Sequence, residues 1–193
     1  MRGRDVGYLA AIAAIAGSCR AAPGVSTSHA AAIVPPTPLV LAIDEGERRV
    51  RRAQVGGLST PFILKVDGRN GGSADLVMGY EDIAPGQAIA PHRHQMADEI
   101  IFVHQGTGVV EVDARVMPFS PGATIYVPKH VRVTLRNTGA GPVSIAFVFS
   151  KPGFEEYLRE TSVPEGQPVT PLSADERRTI RARHQWHTVY EQP

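Results

Sequence analysis

From Pro61 to Pro152 short runs of apolar and β-branched residues are cut again and again by Gly, Pro, Asn or Asp. Phe62–Val66 stops at Asp67-Gly68, and Asn70-Gly71-Gly72 follows; Asp75–Ile83 stops at Pro85-Gly86. Glu99–His104 and Val109–Asp113 flank Gln105-Gly106-Thr107-Gly108, and Thr124–Val127 stops at Pro128. Val131–Arg136 ends at Asn137-Thr138-Gly139, and Val143–Phe149 ends near Pro152. Runs of this length between turn formers read as strands and hairpins. Parallel strands would need crossovers of a dozen or more residues, usually helical, and the segment has no room for them. The fold class is therefore all-β, a double-sheet jelly roll or small barrel of about seven or eight strands.

The flanks read differently. Phe154, Tyr157 and Leu158 fall at helical spacing and are expected to cover part of the barrel. Ser173 and Glu176 form a capping box that opens a helix through about His184. Trp186 and Tyr190 are expected to anchor this tail by packing. The chain thus divides into residues 1–18, an N-terminal tether and extension at 19–59, a barrel at 60–150 and a helical extension at 151–193.

Arg2 and Arg4 followed by the apolar stretch Gly7–Ala16 have the order of a secretory signal peptide and are too short for a membrane span. Cys19, the only cysteine, follows Ala16-Gly17-Ser18, which resembles a bacterial lipoprotein cleavage site. The expectation is an exported protein: a cell-envelope lipoprotein with a lipid anchor at Cys19, or a periplasmic or secreted protein cut near Ala21 or Ala22. Residues Ala21–Pro38, rich in Ala, Pro, Ser and Thr, read as a tether. One cysteine allows neither an internal disulfide nor an all-thiolate metal site. The formal charge is +1, from 20 basic and 19 acidic residues, with no concentrated positive stretch, so nucleic acid is not an expected partner. The runs Glu47–Arg52 and Arg177-Arg178 with Arg181 and Arg183 read as solvated faces.

Four of the seven histidines lie between residues 92 and 130. In an extended segment side chains alternate with period two, so His92 and His94 share one side. Glu99 leads the next strand and can return to the same interior; Asp98 is the rival carboxylate. Two imidazoles and one carboxylate suit a divalent ion such as iron, manganese, zinc, nickel or copper and leave coordination positions open.

These residues carry a family resemblance. Gly86-Gln-Ala-Ile-Ala-Pro-His92-Arg-His94, then Glu99, then Gly106, resembles the first motif of the cupin superfamily, and Gly122-Ala-Thr-Ile-Tyr-Val-Pro128, then Asn137, resembles the second. The resemblance implies a double-stranded β-helix, a jelly-roll cupin barrel with a short helical C-terminal tail. By the family's spacing it implies Glu99 rather than Asp98 as the acidic ligand, beside His92 and His94. It also implies a small-molecule ligand and a homodimer.

The second motif departs from the family. Val133 stands where its third metal histidine belongs, and His130 replaces its usual glycine. Three outcomes follow: a metal held by His92, His94 and Glu99 with water; His130 as a substitute ligand; or no metal and an organic ligand in the pocket. His130 is also the candidate catalytic residue, as a proton shuttle. His104 is expected on the outer sheet face, Arg93 and Arg132 toward solvent, and Ile101, Val103, Val133 and Leu135 in an apolar wall, with Tyr126 and Phe147 as weaker candidates. The implied functions are a metal-dependent dioxygenase or isomerase, or a non-enzymatic exported binding module.

Overall fold

Side chains point alternately inward and outward along the central strands, and that period of two makes two sheets with a shared interior. The computed structural model describes residues 35–53 and 60–191. The expected signal segment, Cys19 and most of the tether lie outside the described residues.

One sheet has seven strands in the order β11-β1-β2-β3-β10-β5-β8. These are β11 (Ser162–Pro164), β1 (Glu47–Arg51), β2 (Pro61–Val66), β3 (Val77–Ile83), β10 (Val143–Phe149), β5 (Glu99–Gln105) and β8 (Thr124–Val127). The other has five, in the order β12-β4-β9-β6-β7. They are β12 (Thr188–Tyr190), β4 (Ala88–His94), β9 (Val133–Asn137), β6 (Gly108–Val112) and β7 (Arg115–Phe119). Every named pairing is antiparallel. The architecture is the jelly roll expected from the turn pattern, with α1 (Phe154–Glu160) and α2 (Ala174–His184) in the tail.

Two apolar clusters hold it together. Ile101, Val103, Val110, Val127, Val133, Leu135 and Ile145 interdigitate between the sheets. Phe62, Leu64, Phe147 and Phe149 pack against Phe154, Tyr157 and Leu158 of α1 and Ile180 of α2. Each such side chain contributes roughly 1.5–3 kcal/mol by leaving water. Gly79 pairs with Phe147 across β3 and β10, and a Cβ there would enter the Phe147 ring. Gly106 turns β5 into β6 at φ 86°, where a Cβ would strike the Pro142 carbonyl. Asn137 closes the end of the barrel, donating to Ile83 O at 2.7 Å and Gly141 O at 2.9 Å while accepting from Gly139 N–H.

The structure adds four strands that the turn pattern does not mark: β1, β7, β11 and β12. Part of the expected extension is thus barrel, because β1 pairs with β2 and β11. The charged run around it is not a solvated face. Arg48 is exposed, but Arg51 turns inward to ion-pair with Glu81 and lie 4.7 Å above the Phe62 ring. The tail is likewise not purely helical: β12 returns to pair with β4. The capping box is present, with Ser173 Oγ accepting from Glu176 N–H and the Glu176 carboxylate accepting from Ser173 N–H.

Candidate metal centre

β4 carries a register shift between Ile89 and His92, at Pro91, which has no N–H to give to a ladder. The shift leaves the Ala90 carbonyl beside the His92 ring, and His92 Nδ1 donates to it at 2.8 Å. A carbonyl only accepts, so the His92 proton sits on Nδ1 and Nε2 keeps its lone pair. Two residues on, His94 is 1% exposed. Its Nδ1 lies 2.9 Å from Thr188 Oγ1, across the β4–β12 pairing. Glu99, at the start of β5, faces both rings from the opposite sheet.

One ligand atom from each of His92, His94 and Glu99 lies within 4.8 Å of the other two. His94 Nε2 and Glu99 Oε2 are 3.4 Å apart, both buried, and neither makes a hydrogen bond. Two lone-pair atoms facing each other without a partner cost about 1–3 kcal/mol each. A cation between them removes that cost, so the residues fit a divalent ion. Burial pushes both histidines down to about 4, with the His94 charge a second cause at His92, and burial pushes Glu99 up to about 7. Without a metal both imidazoles are neutral at pH 7 while Glu99 is still partly ionised there, so the facing lone pairs persist, and an ion would favour the Glu99 carboxylate.

This electrostatic state has a measurable sign. His92, His94 and also His187, which burial likewise holds near 4, stay neutral in the folded metal-free protein, whereas the unfolded chain protonates them below the ordinary 6.5. Their contribution to stability is lost as pH falls from about 6.5 to 4. Glu99 works the other way: its contribution is present below the ordinary 4.5 and is lost as pH rises toward about 7. Three groups outweigh one. Chelator-treated protein should lose stability on acidification through this window, on the order of 2–3 kcal/mol per pH unit in urea titrations. Stability that is flat or rising on acidification would contradict it.

Tyr190 and Thr188 are the site residues that sequence reasoning missed in this role. Tyr190 stacks on His92 with ring centres 5.4 Å apart. Thr188 Oγ1 meets both His94 Nδ1 and His187 Nδ1 at 2.9 Å. A hydroxyl has one proton. With His94 Nδ1 donating and the hydroxyl donating to His187, the lone pair of His94 is left on Nε2, facing Glu99. Thr188→Val keeps the shape and removes this constraint. Metal affinity, read by chelator competition, should fall about 10- to 100-fold and return in Thr188→Ser. Unchanged affinity in the valine variant would deny Thr188 a positioning role.

The remaining sequence candidates fall outside the cluster. His130 is exposed on the turn after β8; its backbone N–H donates to His94 O at 2.6 Å, but its side chain turns to Gln95 Oε1, 2.8 Å from Nδ1, and does not join the cluster of His92, His94 and Glu99. Its φ of 70° is the left-handed conformation that favours the glycine it replaces. Asp98 accepts from Lys129 N–H and serves the turn. Val133 lies directly opposite His92 and is 1% exposed, so an isopropyl group fills that corner. His104 and Tyr126 are exposed on the outer face. Arg93 and Arg132 pair with Glu191, and Arg132 also with Glu111.

His92 and Glu99 open onto a cavity of about 580 Å³. Ile83, Ile89, Ile101, Val133, Leu135 and Phe147 form its apolar wall. Val103 is buried in the adjoining core but is not among the residues lining this cavity.

The model of the Cupin domain family matches residues 79–149, which run from β3 through β10 and include the three clustered side chains. SchB of Streptomyces halstedii is 30% identical over 104 residues, 54% of this chain and 70% of that protein. The dimethylsulfoniopropionate lyase DddW of Ruegeria pomeroyi is 28% identical over 84 residues, 44% of this chain; the chain spans 53% of that lyase's length. Among solved structures, a predicted oxalate decarboxylase from Thermotoga maritima aligns with a TM-score of 0.52 at 16% identity, covering 59% of this chain and all of that one. At that identity the likeness is one of fold.

Proposed function

The chain belongs to the cupin superfamily, and on that footing we propose that it is a divalent-metal-binding cupin that acts on a small organic molecule in the cavity beside His92 and Glu99. The observation that carries this reading is the pair of unpartnered buried atoms, His94 Nε2 and Glu99 Oε2. In this reading His92, His94 and Glu99 hold the ion. The ion would supply Lewis acidity and open coordination positions, which serve an isomerase or a dioxygenase alike. The chain's own contribution is to orient and to exclude water. Ala90 O sets the His92 ring, Tyr190 stacks on it, and the aliphatic wall keeps the reacting end of a bound molecule dry.

One observation favours a metal-free ligand-binding module: Val133 occupies the corner opposite His92. The two readings separate on purified protein. Stoichiometric iron, manganese, zinc, nickel or copper, with unfolding shifted upward on adding the ion, is the expected result. A bound ion at 100 times its Kd stabilises by about 2.7 kcal/mol. A protein that takes up no ion after metal addition would leave the binding-module reading standing.

A further inference from the structure

The metal site occupies only one end of the cavity. Its other end is lined by Arg51, Arg52 and Arg177, with Tyr157 and Tyr190 between. Two of these arginines are neutralised within the chain: Arg51 by Glu81 and Arg52 by Glu176. Arg177 is not. The acids near it are already engaged, Asp175 with Arg178, Glu176 with Arg52, and Glu160 with Arg183 and His184. One helical turn further along α2, Arg181 lies over the Tyr190 ring at 4.4 Å from its centre, and its buried Nε has no hydrogen-bond partner. Among the described residues neither Arg177 nor Arg181 has an ion-pair partner.

Like charges at this spacing on a helix destabilise it. Burial, and then the neighbouring Arg181 charge, hold Arg177 below its ordinary value, as for a cation lacking its counter-ion. Arg178 and Arg183 of this basic run fit the solvated face that the sequence suggests, with side chains 68% and 60% exposed; Arg177 and Arg181 do not. Arg177 lines the cavity directly, whereas Arg181 stands behind it, against the Tyr190 ring that in turn stacks on His92.

We infer that Arg177, backed by the charge of Arg181 one turn along α2, forms an anion subsite for the carboxylate of a small organic acid whose apolar body lies along the Ile89–Leu135–Phe147 wall. The guanidinium fork matches a carboxylate in shape and charge. An acid held there presents its far end to His92 and Glu99. That such an acid is the substrate rests on the metal-dependent reading above; the anion subsite itself does not.

Calorimetry with a series of probes tests it: benzoate, phenylacetate and 3-phenylpropanoate, each against its primary amide. Wild type and the variants Arg177→Gln and Arg177→Gln/Arg181→Gln are titrated metal-loaded and metal-stripped, and bound metal is measured in each. At least one acid is expected to bind about 10- to 100-fold more tightly than its amide, with or without metal, and Arg177→Gln to remove most of that preference at unchanged metal content. No acid binding more tightly than its amide would overturn the subsite. So would a preference that survives in the double variant, or one that vanishes on metal removal and so belongs to the ion. A wild type that takes up no metal yet keeps an arginine-dependent acid preference would refute the metal-dependent reading and leave the subsite in place.

Discussion

His94→Leu should take up no stoichiometric metal, yet its metal-free form should be at least as stable as the metal-free wild type. The imidazole sits 4.6 Å from the Phe149 ring centre and 5.1 Å from that of Phe154, so its surroundings are already apolar. Leucine fills similar space and removes the unpartnered Nε2 that faces Glu99. Eliminating one buried unsatisfied atom recovers about 1–3 kcal/mol, which offsets the lost hydrogen bond to Thr188. Glu99→Gln makes the complementary case. Its amide can donate to His94 Nε2 across the 3.4 Å gap, so it too should stabilise the empty site and abolish metal binding. Calorimetric unfolding with and without added metal reads both quantities. Wild type should be the form that metal stabilises, and the variants should not respond. A leucine variant that retains a full equivalent of metal would mean the ion lies elsewhere.

Arg159→Met is expected to cost about 3–5 kcal/mol, a large share of the 5–15 kcal/mol typical of a folded domain. Arg159 leaves α1 inward, ion-pairs with the fully buried Asp67 and donates to Glu47 Oε2 at 2.6 Å. Burial works against its charge, but Glu47 and Asp67 together hold the guanidinium above its ordinary value. Methionine keeps the apolar stem and removes the charge. Asp67 would then keep only the Arg69 and Asn70 amide N–H groups, both at 2.7 Å, and would be a buried carboxylate without its cation. The network joins α1, β1 and the end of β2, so its loss loosens the side of the barrel where the tail docks. Urea unfolding measures the loss. A cost under about 1 kcal/mol would place the network in the class of solvent-screened surface pairs.

These two sites differ in how far they could be read in advance. The HxH spacing puts two imidazoles on one face of any strand, because period-two alternation is local. The turn residues around them are local as well, so the jelly roll and the histidine pair were legible in the chain, and the resemblance to the cupin motif singled out Glu99 over Asp98. The capping box at Ser173 was legible for the same reason. Arg159, by contrast, gives no sign of its burial. Its partners Glu47 and Asp67 lie 112 and 92 residues away, and a basic residue late in an amphipathic helix ordinarily faces water. His130 shows the reverse case: adjacency to a motif suggested chemistry, but the left-handed turn that glycine usually makes there carries the side chain outward to Gln95.

The order of turns and apolar runs determined a two-sheet β fold with a histidine pair on one side of a strand, and the resemblance to the cupin motif added the acid. Only tertiary structure decided what surrounds that trio. The tail pairs with β4 across 94 residues to bring Thr188 to His94 and Tyr190 to His92, and α2 carries Arg177 to the cavity. Alternation and turn chemistry are properties of neighbouring residues and survive in the linear order, whereas contacts between distant segments depend on how the whole chain closes and leave no periodic trace in it.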